Sequence, residues 1–154
     1  MVENILDIVS NMNELYYRLL LLVDMDNDHE ALAKKLSRMM ETRTINLNYE
    51  LSKELMRQTT RQRKLYLSKS LSKIVPNDNT VILDHIEILF DIELQYDPIR
   101  LLESISRNRT VIAFWSGQIK EGRLIYAEQG HPEYRSYDTK NMMIIEIDKE
   151  KGEI

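Results

Sequence analysis

Residues Tyr16 to Val23 form an apolar run broken only by Arg18 and followed at once by polar residues, the pattern of a strand buried on both faces. Leu32, Leu36 and Met39 then recur at helical spacing, so the first unit is a strand that passes through a short loop into a helix. Val81 to Asp84 and Thr110 to Trp115 read as two further buried strands. Thr44 to Asn48 alternates weakly and reads as another, and Arg123 to Ala127 and Met142 to Ile147 are candidates for more.

Helical spacing fills the intervals. Ile5, Val9 and Met12 mark a short opening helix, and Leu51, Leu55, Leu67, Leu71 and Ile74 mark one long helix or two joined near Thr59-Thr60. Asp97-Pro98 starts another that runs to about Ser106 and buries Ile99, Leu102 and Ile105. There Asp can cap the free amides while Pro fills the first turn without losing a needed donor. Strands alternating with helices imply a mainly parallel sheet covered on both faces. No repeat or Gly/Ser linker divides the chain, so residues 1–154 read as a single α/β domain.

Composition narrows the function classes. With no cysteine among 154 residues, disulfides, thiolate metal sites and cysteine nucleophiles are excluded, which suits a reducing cytoplasm. The longest apolar run, Leu19 to Val23, is far short of the ~20 residues that span a bilayer. The expectation is a cytoplasmic protein with no membrane partner. The net charge is only −4, yet Tyr49 to Lys73 holds seven Lys/Arg against two Asp/Glu. Arg57, Arg61, Arg63 and Lys64 are therefore a candidate nucleic-acid face, with a solvated helix face as the plainer reading.

The strongest chemical pattern is Val81-Ile82-Leu83-Asp84-His85-Ile86-Glu87, an apolar strand delivering a carboxylate to its C-terminal end. Ligands of open α/β sheets gather at that edge, and a P-loop NTPase uses such an acid on Mg²⁺. The eight residues after Val23 fit the length of the phosphate loop G-x-x-x-x-G-K-[ST] without a gap. Their chemistry is reversed. Asp24 and His29 stand in for the glycines, Glu30 for the lysine and Ala31 for the magnesium-binding hydroxyl. Exchanging a cation for an anion about 4 Å from a phosphate turns an attraction of roughly 4 kcal/mol into a similar repulsion. The expected fold is P-loop NTPase-like, with a degenerate phosphate-binding loop.

Other chemistry finds less support. Asp24, Asp26 and Asp28 have the opening spacing of a calcium loop, but His29 falls where that loop requires glycine and Lys35 where it requires glutamate. His29, His85 and His131 are scattered and form no H-E-x-x-H pair, so no metal site is assigned. Arg107 and Arg109 lie at a helix-to-strand junction, suited either to an anionic ligand or subunit or to capping the helix.

Leu83 to Asp91, Asp97 to Leu102, Ser106 to Thr110 and Tyr126 to Tyr137 resemble BrxF, the small P-loop-containing protein of type III BREX phage-defence systems in bacteria. The resemblance extends from the first strand to about Tyr137, and Gly130-His131-Pro132-Glu133-Tyr134 is its most specific part. It implies a RecA/AAA-like core working beside a DNA methyltransferase, a phosphatase-like protein and a large ATPase. It also implies that Asp84 is the counterpart of the magnesium-associated acid and Glu87 of a catalytic-type acid. The acidified loop departs from that pattern. The leading expectation is therefore an accessory subunit acting by protein–protein interaction, with no cofactor assigned. One alternative is an ATPase using ATP and magnesium at a noncanonical site or one shared between subunits of a homo-oligomer, with Asp84, Glu87 and Arg107 or Arg109 as its working groups. The other is a DNA-binding module.

Overall fold

The computed structural model describes residues 2–24 and 29–147. Asp26 and Asp28 of the acidic loop lie outside the described residues. The chain opens with α1 (Val2–Ser10), β1 (Leu19–Asp24), α2 (Glu30–Met39) and β2 (Thr44–Asn46). Three helices follow, α3 (Leu47–Met56), α4 (Thr60–Leu65) and α5 (Leu67–Ile74), before β3 (Thr80–Asp84). Two 3₁₀ turns, Glu87–Phe90 and Ile92–Leu94, precede α6 (Pro98–Ile105) and β4 (Thr110–Trp115). The chain continues through β5 (Gln118–Lys120), β6 (Arg123–Tyr126), β7 (Arg135–Asp138) and β8 (Met143–Ile147).

Five strands form one sheet in the order β2-β3-β4-β1-β8, and every neighbouring pair is parallel. Side chains alternate across it, as the strand period of two requires. Leu19, Leu21 and Val23 join Val81, Leu83, Val111, Ala113 and Trp115 in one core, with α3, α5 and α6 supplying Leu51, Leu71 and Leu102. Leu20 and Leu22 face the other way with Ile82, Ile112 and Phe114, against Ile5 of α1 and Leu32 and Leu36 of α2. Both faces are covered, which accounts for the unbroken apolar runs of β1 and β4.

Several elements start and stop where the sequence predicts. Asp97 caps α6, its Oδ1 accepting from Ile99 N–H at 2.9 Å. The Thr59-Thr60 break is a reciprocal capping box, with Gln62 N–H donating to Thr59 Oγ1 and Thr59 N–H to Gln62 Oε1. A second break at Tyr66 makes three helices of the region read as one or two. The Thr44 strand ends at Asn46, because Asn46 turns to cap α3 by accepting from Tyr49 N–H.

The start of the first strand needs correction. Tyr16 and Tyr17 precede β1, and Tyr16 is 62% exposed. The guanidinium of Arg107 lies 3.8 Å from the centre of the Tyr16 ring, so aromatic character here serves a surface cation–π contact. Met39 likewise closes the α2 repeat from an exposed position.

A three-stranded antiparallel sheet, β5-β6-β7, was not evident in the sequence as a unit. It hinges on Glu121-Gly122, both with positive φ, the backbone that a two-residue hairpin needs. Trp115 Nε1–H donates to Ile125 O at 3.0 Å, the Phe90 and Tyr126 rings stack at 3.7 Å, and Tyr137 O–H donates to Asp97 Oδ1. These contacts seat the small sheet beside the C-terminal end of β4. Gly130 to Tyr134 lies in the β6–β7 connection, where His131 N–H donates to Glu128 O and Tyr134 N–H to His131 O. No described helix is long and apolar enough to cross a membrane.

Candidate functional site

Parallel strands deliver their C-terminal ends to one edge, and the polar residues of the chain converge there. Asp24 closes β1, Asp84 closes β3, Asn48 follows β2 by two residues and Ser116 follows β4 by one. Asp24 and Asp84 are both buried. His29 stands immediately before α2, at the end of the acidic loop. Its imidazole stacks on Phe114, ring centres 4.2 Å apart and planes 12° from parallel.

That stacking aims Nε2 of His29 at Oδ1 of Asp84, 2.5 Å away. The two side chains are only 13% and 12% exposed, so their charges are screened less than those of a surface pair. The hydrogen bond to Asp84 raises the His29 pKa, burial opposes it, and the charges of Asp84, Asp24 and Glu87 add to the rise. Burial by itself would raise the Asp84 pKa. The His29 hydrogen bond and charge outweigh it, helped by the charge and backbone N–H of His85, and the net direction is down. Below the raised pKa of His29 the pair is an imidazolium held against a carboxylate.

His85 completes this side of the site. Its backbone has φ of 52°, a left-handed conformation tolerated by His more readily than by bulky β-branched residues. The turn lets His85 N–H donate to Asp84 Oδ1 at 2.8 Å and brings its own Nε2 to 3.6 Å from Oδ2.

Glu87 is held separately. Oε1 accepts from Ser116 Oγ–H at 2.7 Å and Oε2 from Asn48 Nδ2–H at 2.8 Å. Asn48 is fixed in turn by Ile88 N–H, which donates to its Oδ1, and by its own N–H, which donates to His85 O. A half-buried carboxylate with both oxygens satisfied is an organising group for the loops around it.

The structure thus brings together Asp24, His29, Asp84 and Glu87, and it adds Asn48, Phe114 and Ser116, which sequence reasoning missed. Asn48 and Ser116 were accessible to the same rule that singled out Asp84, since Ser116 directly follows β4 and Asn48 lies two residues past the end of β2. Glu30 and Ala31 begin α2, and Glu30 faces solvent in a 3.8 Å pair with Lys34. Arg107 and Arg109 precede β4 and so occupy the opposite edge of the sheet, where Arg109 donates to Asn77 Oδ1. They do not meet Asp84 within one chain. Arg57, Arg61, Arg63 and Lys64 belong to the end of α3 and to α4.

Among the described residues, no group of three or more His, Asp or Glu is placed to hold a metal ion. The site also does not fit a magnesium nucleotide. Asp84, the acid expected to face a metal, is paired with His29, and Glu30 stands at the position expected to hold a lysine.

No protein-family model matches the chain, and no curated protein or solved structure matches it significantly.

Proposed function

We propose that the protein is an accessory subunit of a BREX-type phage-defence assembly, built on a P-loop-like plan of RecA/AAA type, that works through protein–protein contacts without using nucleotide. The observation that carries the loss of nucleotide chemistry is the His29–Asp84 pair. His29, from the end of the acidic loop, engages the carboxylate that a metal would need on this reading. The plan itself is supported by the parallel sheet, by β1 in its interior leading through the loop to α2, and by an acid at the tip of β3. The defence context rests on the resemblance of the Leu83 to Tyr137 segments to BrxF. Its partners in that setting are a methyltransferase, a phosphatase-like protein and a large ATPase.

Isothermal titration with Mg-ATP tests the reading. Binding no tighter than millimolar is the expected result, and micromolar affinity overturns it. Co-expression with the three partners supplies the second arm, in which the protein co-purifies with at least one of them and Asp84→Ala leaves phage restriction intact.

A further inference from the structure

The helix α4 is a helix without a core. None of its six residues is buried, and it is held by the Thr59–Gln62 capping box and by Arg63 Nε–H donating to Leu55 O. Helices of this length are not stable by themselves in water, so its position reflects local ties and leaves its outer surface unused. From Met56 to Pro76 the chain carries six Lys/Arg and no Asp/Glu, within a protein of net charge −4. Lys73 pairs with Glu54. Arg57, Arg61, Arg63, Lys64 and Lys69 have no ion-pair partner among the described residues.

Apolar side chains stand between these cations. Met56 is 78% exposed and Leu65 64%, with Tyr49 and Tyr66 also exposed. Beside them a cleft of about 160 Å³ runs between α3, α4 and the 3₁₀ turns, lined by Leu55, Met56, Arg63, Ile88 and Leu94 together with Asp91 and Glu93. Ile92, between those two acids in sequence, is exposed as well. Phosphates gain little from Met56 or Leu65, whereas a protein segment with both acidic and apolar residues meets the cations with its carboxylates and can place an apolar side chain in the cleft, clear of Asp91 and Glu93.

We infer that the face made by α3, α4 and the start of α5 is a docking surface for an acidic, amphipathic segment of a partner protein. Carboxylates of that segment meet Arg57, Arg61, Lys64 and Lys69, and an apolar side chain enters the cleft beside Met56. This inference rests on the protein–protein reading and gives it a surface and a partner chemistry.

Fluorescence anisotropy on the full chain tests it with three labelled probes: a helical peptide of Glu and Leu arranged on opposite faces, polyglutamate of equal length, and duplex DNA. The Glu/Leu peptide should bind about tenfold more tightly than either other probe and weaken as salt rises. Arg61→Glu with Lys64→Glu should abolish that binding while circular dichroism stays unchanged, since α4 buries nothing. Met56→Ser should weaken the peptide and leave polyglutamate unaffected. Tighter binding of DNA than of the peptide overturns the inference in favour of nucleic acid. Salt-sensitive self-association that the double reversal removes, without peptide binding, overturns it in favour of a second copy. Absence of peptide binding also overturns it. In that case the accessory-subunit reading stands or falls separately, on Mg-ATP titration and co-purification.

Discussion

His29 and Asp84 are 55 residues apart in the chain and 2.5 Å apart in space. The contact links the residue just before α2 to the tip of β3, the two places from which the proposed P-loop plan would assemble a phosphate site. Removing the imidazole with His29→Ala leaves Asp84 with His85 as its remaining imidazole neighbour among the described residues, and it removes the ring packed on Phe114. A loss of about 1–3 kcal/mol is expected, the cost of stranding a largely buried hydrogen-bonding group. Urea unfolding of the variant and parent near pH 6 measures it, and an unchanged midpoint would show the pair to be energetically idle.

The same pair sets a pH window. The His29 pKa is raised above its ordinary value of 6.5, so its contribution is complete below that value and is lost as pH rises through the raised one. The Asp84 pKa is lowered below its ordinary 3.8, so its contribution is complete above that value and is lost as pH falls through the lowered one. The stability difference between parent and His29→Ala should therefore be largest between 3.8 and 6.5. It should shrink on the alkaline side. A difference that grows from pH 6 to pH 9 contradicts the assignment of an imidazolium.

Restoring the loop tests whether its gapless fit reflects ancestry of the site or accident. Asp24→Gly, His29→Gly, Glu30→Lys and Ala31→Thr together recreate the phosphate-loop pattern at its four diagnostic positions and release Asp84. The combined variant is expected to bind Mg-ATP more tightly than the parent does. Titration calorimetry on a folded preparation reads this directly. A folded variant with no gain removes the correspondence between this loop and a P-loop.

Glu87 makes a different prediction because it is held by neutral donors. Asn48→Ala withdraws both the donor to Oε2 and the acceptor for Ile88 N–H, so one side chain accounts for two bonds. The expected destabilisation is about 1–3 kcal/mol. Ser116→Ala withdraws a single donor, to Oε1, and should cost less. Thermal unfolding of the two variants checks the order, and a larger effect at Ser116 reverses the proposed hierarchy.

The legible parts of this fold are those in which local chemistry and burial agree. β4 occupies Thr110–Trp115 because every residue in it is buried and apolar or small, and α6 begins at Pro98 because Asp97 and Pro98 each solve a first-turn problem. Tyr16 and Tyr17 misled because an exposed aromatic and a buried one look alike in sequence; only the position of Arg107, 91 residues on, reveals the difference. Asp84 was legible as a strand-end acid, but its partner was not. A histidine in a failed motif gives no sign of the aspartate it will meet, since that pairing is made by the parallel alignment of β3, β4 and β1.

Gly117 depends on the same kind of long-range closeness. An added Cβ would lie 1.9 Å from Ile125 O and 2.6 Å from Trp115 Nε1, the two atoms whose hydrogen bond seats the small sheet. Neither can yield without breaking that bond, because one belongs to the β6 backbone and the other to an indole that is 1% exposed. Gly117→Ala should therefore cost at least about 2 kcal/mol, as an overpacked site does. It should also admit water to Trp115, the sole tryptophan. Emission should shift to the red while the far-ultraviolet dichroism of the main sheet and helices persists. Unshifted emission would mean that β5-β6-β7 docks through Tyr126 and Tyr137 without help from the indole.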